Sequence, residues 1–181
     1  MSDDKVIKKL HEQYDELFQS IINRVADYST DNSLILLRRA YEFSLEAHKN
    51  QRRYSGEPYF DHVLHVADIL VDLKMDTATI AAGLLHDSVE DTGIVLDEIR
   101  EKFDTDIAQL VDGVTKISEL RFESREQRQA ETFRKMLLSM ARDVRVIIIK
   151  FADRLHNMRT LEHVPPKKRE RIALETREVY V

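Results

Sequence analysis

The chain has 181 residues, 43% hydrophobic and 34% charged, with a formal net charge of −5, which leaves room for one domain with a sizeable core. The absence of cysteine excludes disulfides and thiolate metal sites, so any metal would take His, Asp or Glu ligands. The acidic balance argues against a dedicated nucleic-acid binder, and no apolar run approaches membrane-spanning length. Only four glycines and three prolines, among abundant Leu, Ile, Ala, Glu, Lys and Arg, point to a mostly helical fold. The charged start Met1-Ser2-Asp3-Asp4-Lys5 lacks the apolar core of a secretion signal, so a cytoplasmic location is expected.

Apolar residues from Val6 to Val25, including Leu10, Tyr14, Phe18 and Ile21, recur at spacings of three and four, predicting an amphipathic helix over 4–28. Asp31, Asn32 or Ser33 is expected to cap a second helix running to about Lys49. His48 sits near its end, where a protonated imidazole would suit the helix dipole. Residues 50–58 are polar and contain Ser55-Gly56 ahead of Pro58, so a loop is expected there. Its cations and donors suit a phosphate or base pocket, and equally a solvated connection. Tyr59 to Leu73 predicts a helix carrying His62 and His65, three apart and able to face one site. Thr77 to Leu85 is small and apolar, the pattern of a helix buried on all sides.

That segment runs into Leu84–Thr92 (LLHDSVEDT), which places four ionisable side chains between His86 and Asp91. On a helix, His86 would align with Glu90 and Asp87 with Asp91. Buried, three carboxylates and an imidazole call for a divalent cation; on an exposed helix end they would simply meet water. Further on, Leu96–Lys102 and Asp106–Val114 predict two short helices, and residues 116–129 a mobile loop or fraying helix start. Ala130 to Ala141 returns to helical spacing. Val144 to Phe151 resembles a strand by propensity, but the lack of a second strand to pair with it argues for a buried helix. It delivers Asp153, which needs a metal or an arginine as it leaves the core. Pro165-Pro166 is expected to end that helix, Lys167-Lys168-Arg169 to form a solvated face, and Ile172 to begin a last helix.

His62, then His86-Asp87, then Asp153 resembles the H…HD…D pattern of the HD-domain metal phosphohydrolases. The words around these residues are more specific. Residues 47–59 (AHKNQRRYSGEPY), 84–92, 113–116 (GVTK), 129–136 (QAETFRKM) and 150–161 (KFADRLHNMRTL) resemble the hydrolase domain of the Rel/SpoT family, bacterial enzymes that make and destroy the alarmones ppGpp and pppGpp. The resemblance implies an all-α fold, an HD-domain helical bundle, with residues 1–181 as a single domain and 1–30 as its N-terminal helix. The closing Glu175–Tyr180 resembles the point where longer members continue toward a synthetase domain.

By the same resemblance, the metal ligands are His62, His86, Asp87 and Asp153, and the metal is manganese. Two imidazoles and two carboxylates suit Mn²⁺, with Fe²⁺ and Zn²⁺ also compatible. The implied reaction removes the 3′-pyrophosphate of ppGpp or pppGpp. Glu90 and Asp91 match the family's catalytic acidic pair, one for the attacking water and one for a supporting contact or the leaving oxygen. Arg53, Ser55, Asn157 and Thr160 match the nucleoside pocket, with Arg53 placed to stack on guanine. Lys116, Arg134 and Arg154 are lesser candidates for phosphate contacts, and Arg154 could instead pair with an acidic neighbour. Tyr54 stands where many members carry lysine, Asn50 replaces a glycine, Val63 a proline, and His65 is an additional imidazole. Two alternatives are an HD phosphohydrolase acting on another nucleotide, and a silent module that binds nucleotide and signals to a synthetase domain.

Overall fold

Helices α3 (Tyr59–Asp72) and α4 (Thr77–Leu85) form the centre of the molecule. In the computed structural model, which describes residues 3–118, 134, 138 and 142–179, every residue from Thr79 to Leu85 is buried. Small residues allow this. Gly83 carries no Cβ, and one placed there would run into the Leu70 side chain of α3. Asp76 caps α4, accepting from Thr79 N at 3.1 Å.

Around this pair lie α1 (Asp3–Ala26), α2 (Asp31–Ala47), α6 (Leu96–Lys102), α7 (Thr105–Ser118) and α8 (Val144–Arg159). A short α5 (Ser88–Asp91) follows α4, and a 3₁₀ turn (Leu161–His163) leads to α9 (Pro166–Val179). Helix α4 packs against α2, α3 and α7, while α3 also packs against α1 and α8. The expected N-terminal helix joins the core through aromatic contacts: Phe18 stacks on Tyr41 of α2 at 4.2 Å, and Tyr14 meets Phe60 of α3 edge-on at 5.3 Å. Close approach of α7 to α8 depends on Gly113, where a Cβ would stand 2.7 Å from Val146 Cγ2.

The strand-like run at 144–151 is helical. Val146, Ile147 and Ile149 are buried, and α8 continues unbroken through Asp153 to Arg159. Tertiary burial overrides β-propensity here. Among the described residues no strand occurs, only an isolated bridge between Arg52 and Pro58. Several boundaries differ from expectation. Helix α2 is capped at Thr30, ahead of the three candidates, and α7 runs on to Ser118, so Lys116 is helical rather than in a loop. Pro166 does not end α8 but opens α9, where a missing N–H costs nothing. The helix expected over 130–141 and most of the 116–129 segment lie outside the described residues.

The start of α8 is tied down by charge. Asp143 caps it, accepting from Arg145 N at 2.9 Å, and Arg145 reaches Asp106 of α7 at 2.7 Å. Hydrogen bonding from Arg145 holds the Asp143 carboxyl below its ordinary range. A depressed carboxyl stabilises the fold above its unfolded value and loses that contribution as pH falls through the folded one. Asp143→Ala is therefore expected to cost about 1 kcal/mol at pH 7. In urea denaturation, the gap between variant and wild type should close as the pH is lowered to about 3, toward the carboxyl range. A gap independent of pH would show that Asp143 acts without its charge.

Candidate metal centre and adjoining pocket

His62 points into the core from the second turn of α3, Asp153 from the third turn of α8, and His86-Asp87 from the end of α4; all four are buried. The ligand atoms of His62, His86 and Asp87 lie within 4.8 Å of one another. Asp153 joins them through Oδ1, 3.4 Å from His62 Nε2. Four residues spread over 92 positions thus meet in one place, as their spacing alone could not show.

Whether this group suits a divalent ion is answered by His86. Its Nδ1 donates to the Gly83 carbonyl at 2.7 Å. Its Nε2 is buried without a hydrogen-bond partner and stands 3.0 Å from Asp87 Oδ2. A lone pair facing a carboxylate at that distance needs a cation between them, either a proton or a metal. Without a metal the proton takes the place: burial opposes the charge, but Asp87 prevails and lifts the His86 imidazole to about 9. The donor set, nitrogen and oxygen with no sulfur, fits a manganese-like ion.

These carboxylates are also engaged by neighbours that motif spacing did not reveal. Tyr59 OH donates to Asp87 Oδ2 at 2.7 Å, and burial pushes the Tyr59 phenol far up, so it remains a donor. Lys150, itself buried, donates to Asp153 Oδ2 at 2.8 Å. Burial would raise the Asp153 carboxyl, but Lys150 and then His62 hold it well below the usual range. The sequence held a signal for Lys150, three residues before Asp153 on one helix face, and for Tyr59, three before His62.

His86 and Asp87 do not continue a helix with Glu90 and Asp91, as the i, i+4 alignment supposed. A turn at 86–87 separates α4 from α5, and Glu90 and Asp91 are exposed while the pair before them is buried. Asp91 stays close through its backbone, its N–H donating to Asp87 O at 2.9 Å.

Beside the metal group lies the 51–58 loop. Gly56, with φ of 87°, closes a tight turn in which its N–H donates to Arg53 O at 3.0 Å. Arg53, Tyr54, Ser55, Thr160, His163 and Val164 line a pocket. Arg53 Nη2 donates to Asn157 Oδ1 at 2.5 Å, and Asn157 in turn donates to Asp153 Oδ1. Ser55 donates to Glu57 Oε2 at 2.9 Å, and Thr160 to the His156 carbonyl at 3.1 Å. So three of the four expected nucleoside residues line the pocket, and Asn157 links it to Asp153.

None of the lesser phosphate candidates is among the residues lining that pocket. Lys116 is exposed on α7 and paired with Asp112, Arg134 is exposed, and Arg154 is half-buried on α8. A cation that sequence reading assigned to a solvated face contacts a pocket residue: Lys168 lies 4.4 Å over the Tyr54 ring and 3.2 Å from its hydroxyl. His48 also departs from expectation. It is buried, stacks on Tyr59 and meets Gln51 Oε1 at 2.6 Å, and burial lowers its pKa, so it is neutral rather than a charged partner of the dipole. His65 does not join His62 at the centre but stacks on His156, which is buried.

A helical domain that gathers two imidazoles and two carboxylates at its centre has a donor set that could hold a metal ion. The family model described as HD domain matches residues 40–181, and the chain belongs to that family. It is 50% identical over 159 residues to a GTP pyrophosphokinase of Myxococcus xanthus, covering 86% of this chain and 21% of that protein. It is 46% identical over 164 residues to the bifunctional (p)ppGpp synthase/hydrolase SpoT of Escherichia coli strain K12, covering 91% and 23%. The chain thus spans about a fifth of the length of these curated relatives. A solved structure described as a metazoan ortholog of SpoT that hydrolyzes ppGpp aligns with a TM-score of 0.66 at 27% identity, over 84% of this chain and 85% of that one. No helix among the described residues is long and apolar enough to cross a membrane.

The Tyr59 contact carries its own test. A hydrogen bond to a buried charged group contributes about 1.5–3 kcal/mol. Tyr59→Phe should lower the metal-free protein's stability by that amount in urea denaturation; an unchanged midpoint would show that Asp87 does not depend on the phenol.

Proposed function

We propose that this chain is a cytoplasmic, manganese-dependent hydrolase that removes the 3′-pyrophosphate of ppGpp or pppGpp, releasing GDP or GTP and pyrophosphate. The observation that carries it is the grouping of His62, His86 and Asp87 within 4.8 Å, with Asp153 at 3.4 Å from His62 and an arginine-lined pocket alongside. The names of the relatives include both making and breaking of alarmones. Of these two activities, a buried His-Asp metal group supports the hydrolase.

His62, His86, Asp87 and Asp153 would hold the ion. Bound there, Mn²⁺ would make water a nucleophile near neutral pH and offset the charge of the phosphate oxygens. The remaining work falls to side chains. Glu90 and Asp91, exposed beside the buried pair, divide two tasks: one orients or deprotonates the attacking water, and the other supports it or assists the leaving ribose oxygen. Arg53 stacks its planar guanidinium on guanine, and Ser55 and Thr160 offer hydroxyls to base or ribose. Tyr59 and Lys150 keep the two carboxylates anionic and aimed inward.

Incubation with ppGpp, with and without Mn²⁺, should yield GDP and pyrophosphate only with the ion. Nucleotide binding with no pyrophosphate released would identify a silent module instead. Asp87→Ala should abolish both Mn²⁺ uptake and turnover, since a direct anionic ligand is lost. Glu90→Gln should retain Mn²⁺ and lower kcat about 10²- to 10⁴-fold; a kcat equal to the parent would remove Glu90 from the mechanism. Arg53→Ala should raise KM about tenfold, the equivalent of about 1.4 kcal/mol of stacking. An unchanged KM would show that guanine does not stack there.

A further inference from the structure

We propose that His156 is a positioning residue that joins the nucleotide pocket to the metal centre, through one ring nitrogen shared between His62 and Arg53; this rests on His62 being a metal ligand. His156 is buried on α8, one turn beyond Asp153. Its Nδ1 lies 2.7 Å from His62 Nδ1 and 3.2 Å from Arg53 Nη1.

The proton assignment follows from the partners. Two ring nitrogens at 2.7 Å share one proton, so one donates and the other accepts. Arginine only donates, so the accepting lone pair is on His156 Nδ1. His62 must therefore carry its proton on Nδ1. A neutral imidazole protonated there has its lone pair on Nε2, and His62 Nε2 is the atom that faces Asp153 Oδ1 at 3.4 Å and Asp87 Oδ2 at 3.7 Å. His156 thus selects the tautomer of His62 that can ligate an ion.

The same assignment disposes of a second group, Asp61, His65 and His156, whose ligand atoms also lie within 4.8 Å of one another. His156 Nε2 carries the proton and Nδ1 receives two donors, so no lone pair remains for another ion. His65 instead forms a wall, its ring nearly parallel to His156 at 5.2 Å. On the other side, Arg53 donates to Asn157 Oδ1 at 2.5 Å, and Asn157 donates to Asp153. Consecutive residues of α8 therefore connect Arg53 to two ligands, His156 to His62 and Asn157 to Asp153. Loss of the His156 acceptor loosens both the pocket arginine and the ligand histidine, and such coupling between two binding sites is reciprocal.

The test compares Mn²⁺ and GDP affinities, by calorimetry, of the metal-free 181-residue chain and two variants. His156→Phe keeps a ring and loses the acceptor; His156→Asn places an amide oxygen near the position of Nδ1. The expected result is about 10- to 100-fold weaker Mn²⁺ binding in His156→Phe, with most of it recovered in His156→Asn and GDP affinity following the same order. Wild-type Mn²⁺ affinity in His156→Phe overturns the proposal, as does equal weakening in both variants, which would mean ring packing alone. Nitrogen-15 NMR of the histidine rings in the wild-type chain needs no variant to fold. It should show His156 protonated on Nε2 beside His62 protonated on Nδ1, and the opposite tautomers overturn the assignment. If the wild type takes up no Mn²⁺ at all, the metal centre itself fails and the role of His156 with it; tight uptake by both wild type and His156→Phe removes only His156.

Discussion

Two buried carboxylates and two buried imidazoles cannot share one space without positive charge among them, and the surrounding helices are arranged to meet that demand. Removing a carboxylate from water costs far more than the fold can absorb unless the charge is matched. Here the matching comes from hydrogen-bond donors on neighbouring side chains. Tyr59, Lys150 and Asn157 donate to Asp87 and Asp153 from the protein side. The unpartnered His86 Nε2 faces Asp87 from within the group, where a cation is required. The neighbours keep the acids ionised, with Tyr59 and Asn157 donating to the same two oxygens that face His86 and His62.

The break after α4 serves the same end. A helix buried on all sides cannot simply continue through LLHDSVEDT, because one face would carry Asp87 and Asp91 inward together. The turn at 86–87 keeps His86 and Asp87 inside and sends Glu90 and Asp91 out to solvent. The result is a functional division of one acidic run: an anion held for an ion, followed by two groups that can exchange protons with water. Rigid packing makes the division dependable, since α4 is held by α2, α3 and α7 at once.

How much of this was legible in the sequence depended on range. Helix α1 followed from apolar period and α4 from its run of small apolar residues, while the four candidate ligands came from resemblance to a known motif. The break at 86–87 was not legible, because helical periodicity describes a face and not its interruption. The 144–151 run carried a strand's propensity, yet the lack of a pairing strand already argued for a helix, and Val146, Ile147 and Ile149 are buried on α8 as that reading expects. His48 was misjudged for a related reason: position at a helix end says nothing of the burial that makes it neutral. Least visible of all was His156. A histidine on a helix is ordinary, and its role exists only where α3 and the 51–58 loop bring His62 and Arg53 to the same nitrogen.

The N-terminal helix and α9 show how elements at the edges of the motif region still shape the site. Helix α1 lies entirely outside residues 40–181, yet its Tyr14 packs on Phe60, two residues before His62, so a helix that carries no motif backs the first candidate ligand. At the other end, Tyr54 lines the pocket, and by family resemblance it stands where a lysine was expected. Because Pro166 opens α9 rather than closing α8, Lys168 falls in the first turn of that helix and rests over the Tyr54 ring at 4.4 Å. The aromatic face attracts the ammonium, so Tyr54 holds a cation from another element beside the pocket. The cations at the pocket thus come from two distant segments, Arg53 on the 51–58 loop and Lys168 on α9 against Tyr54.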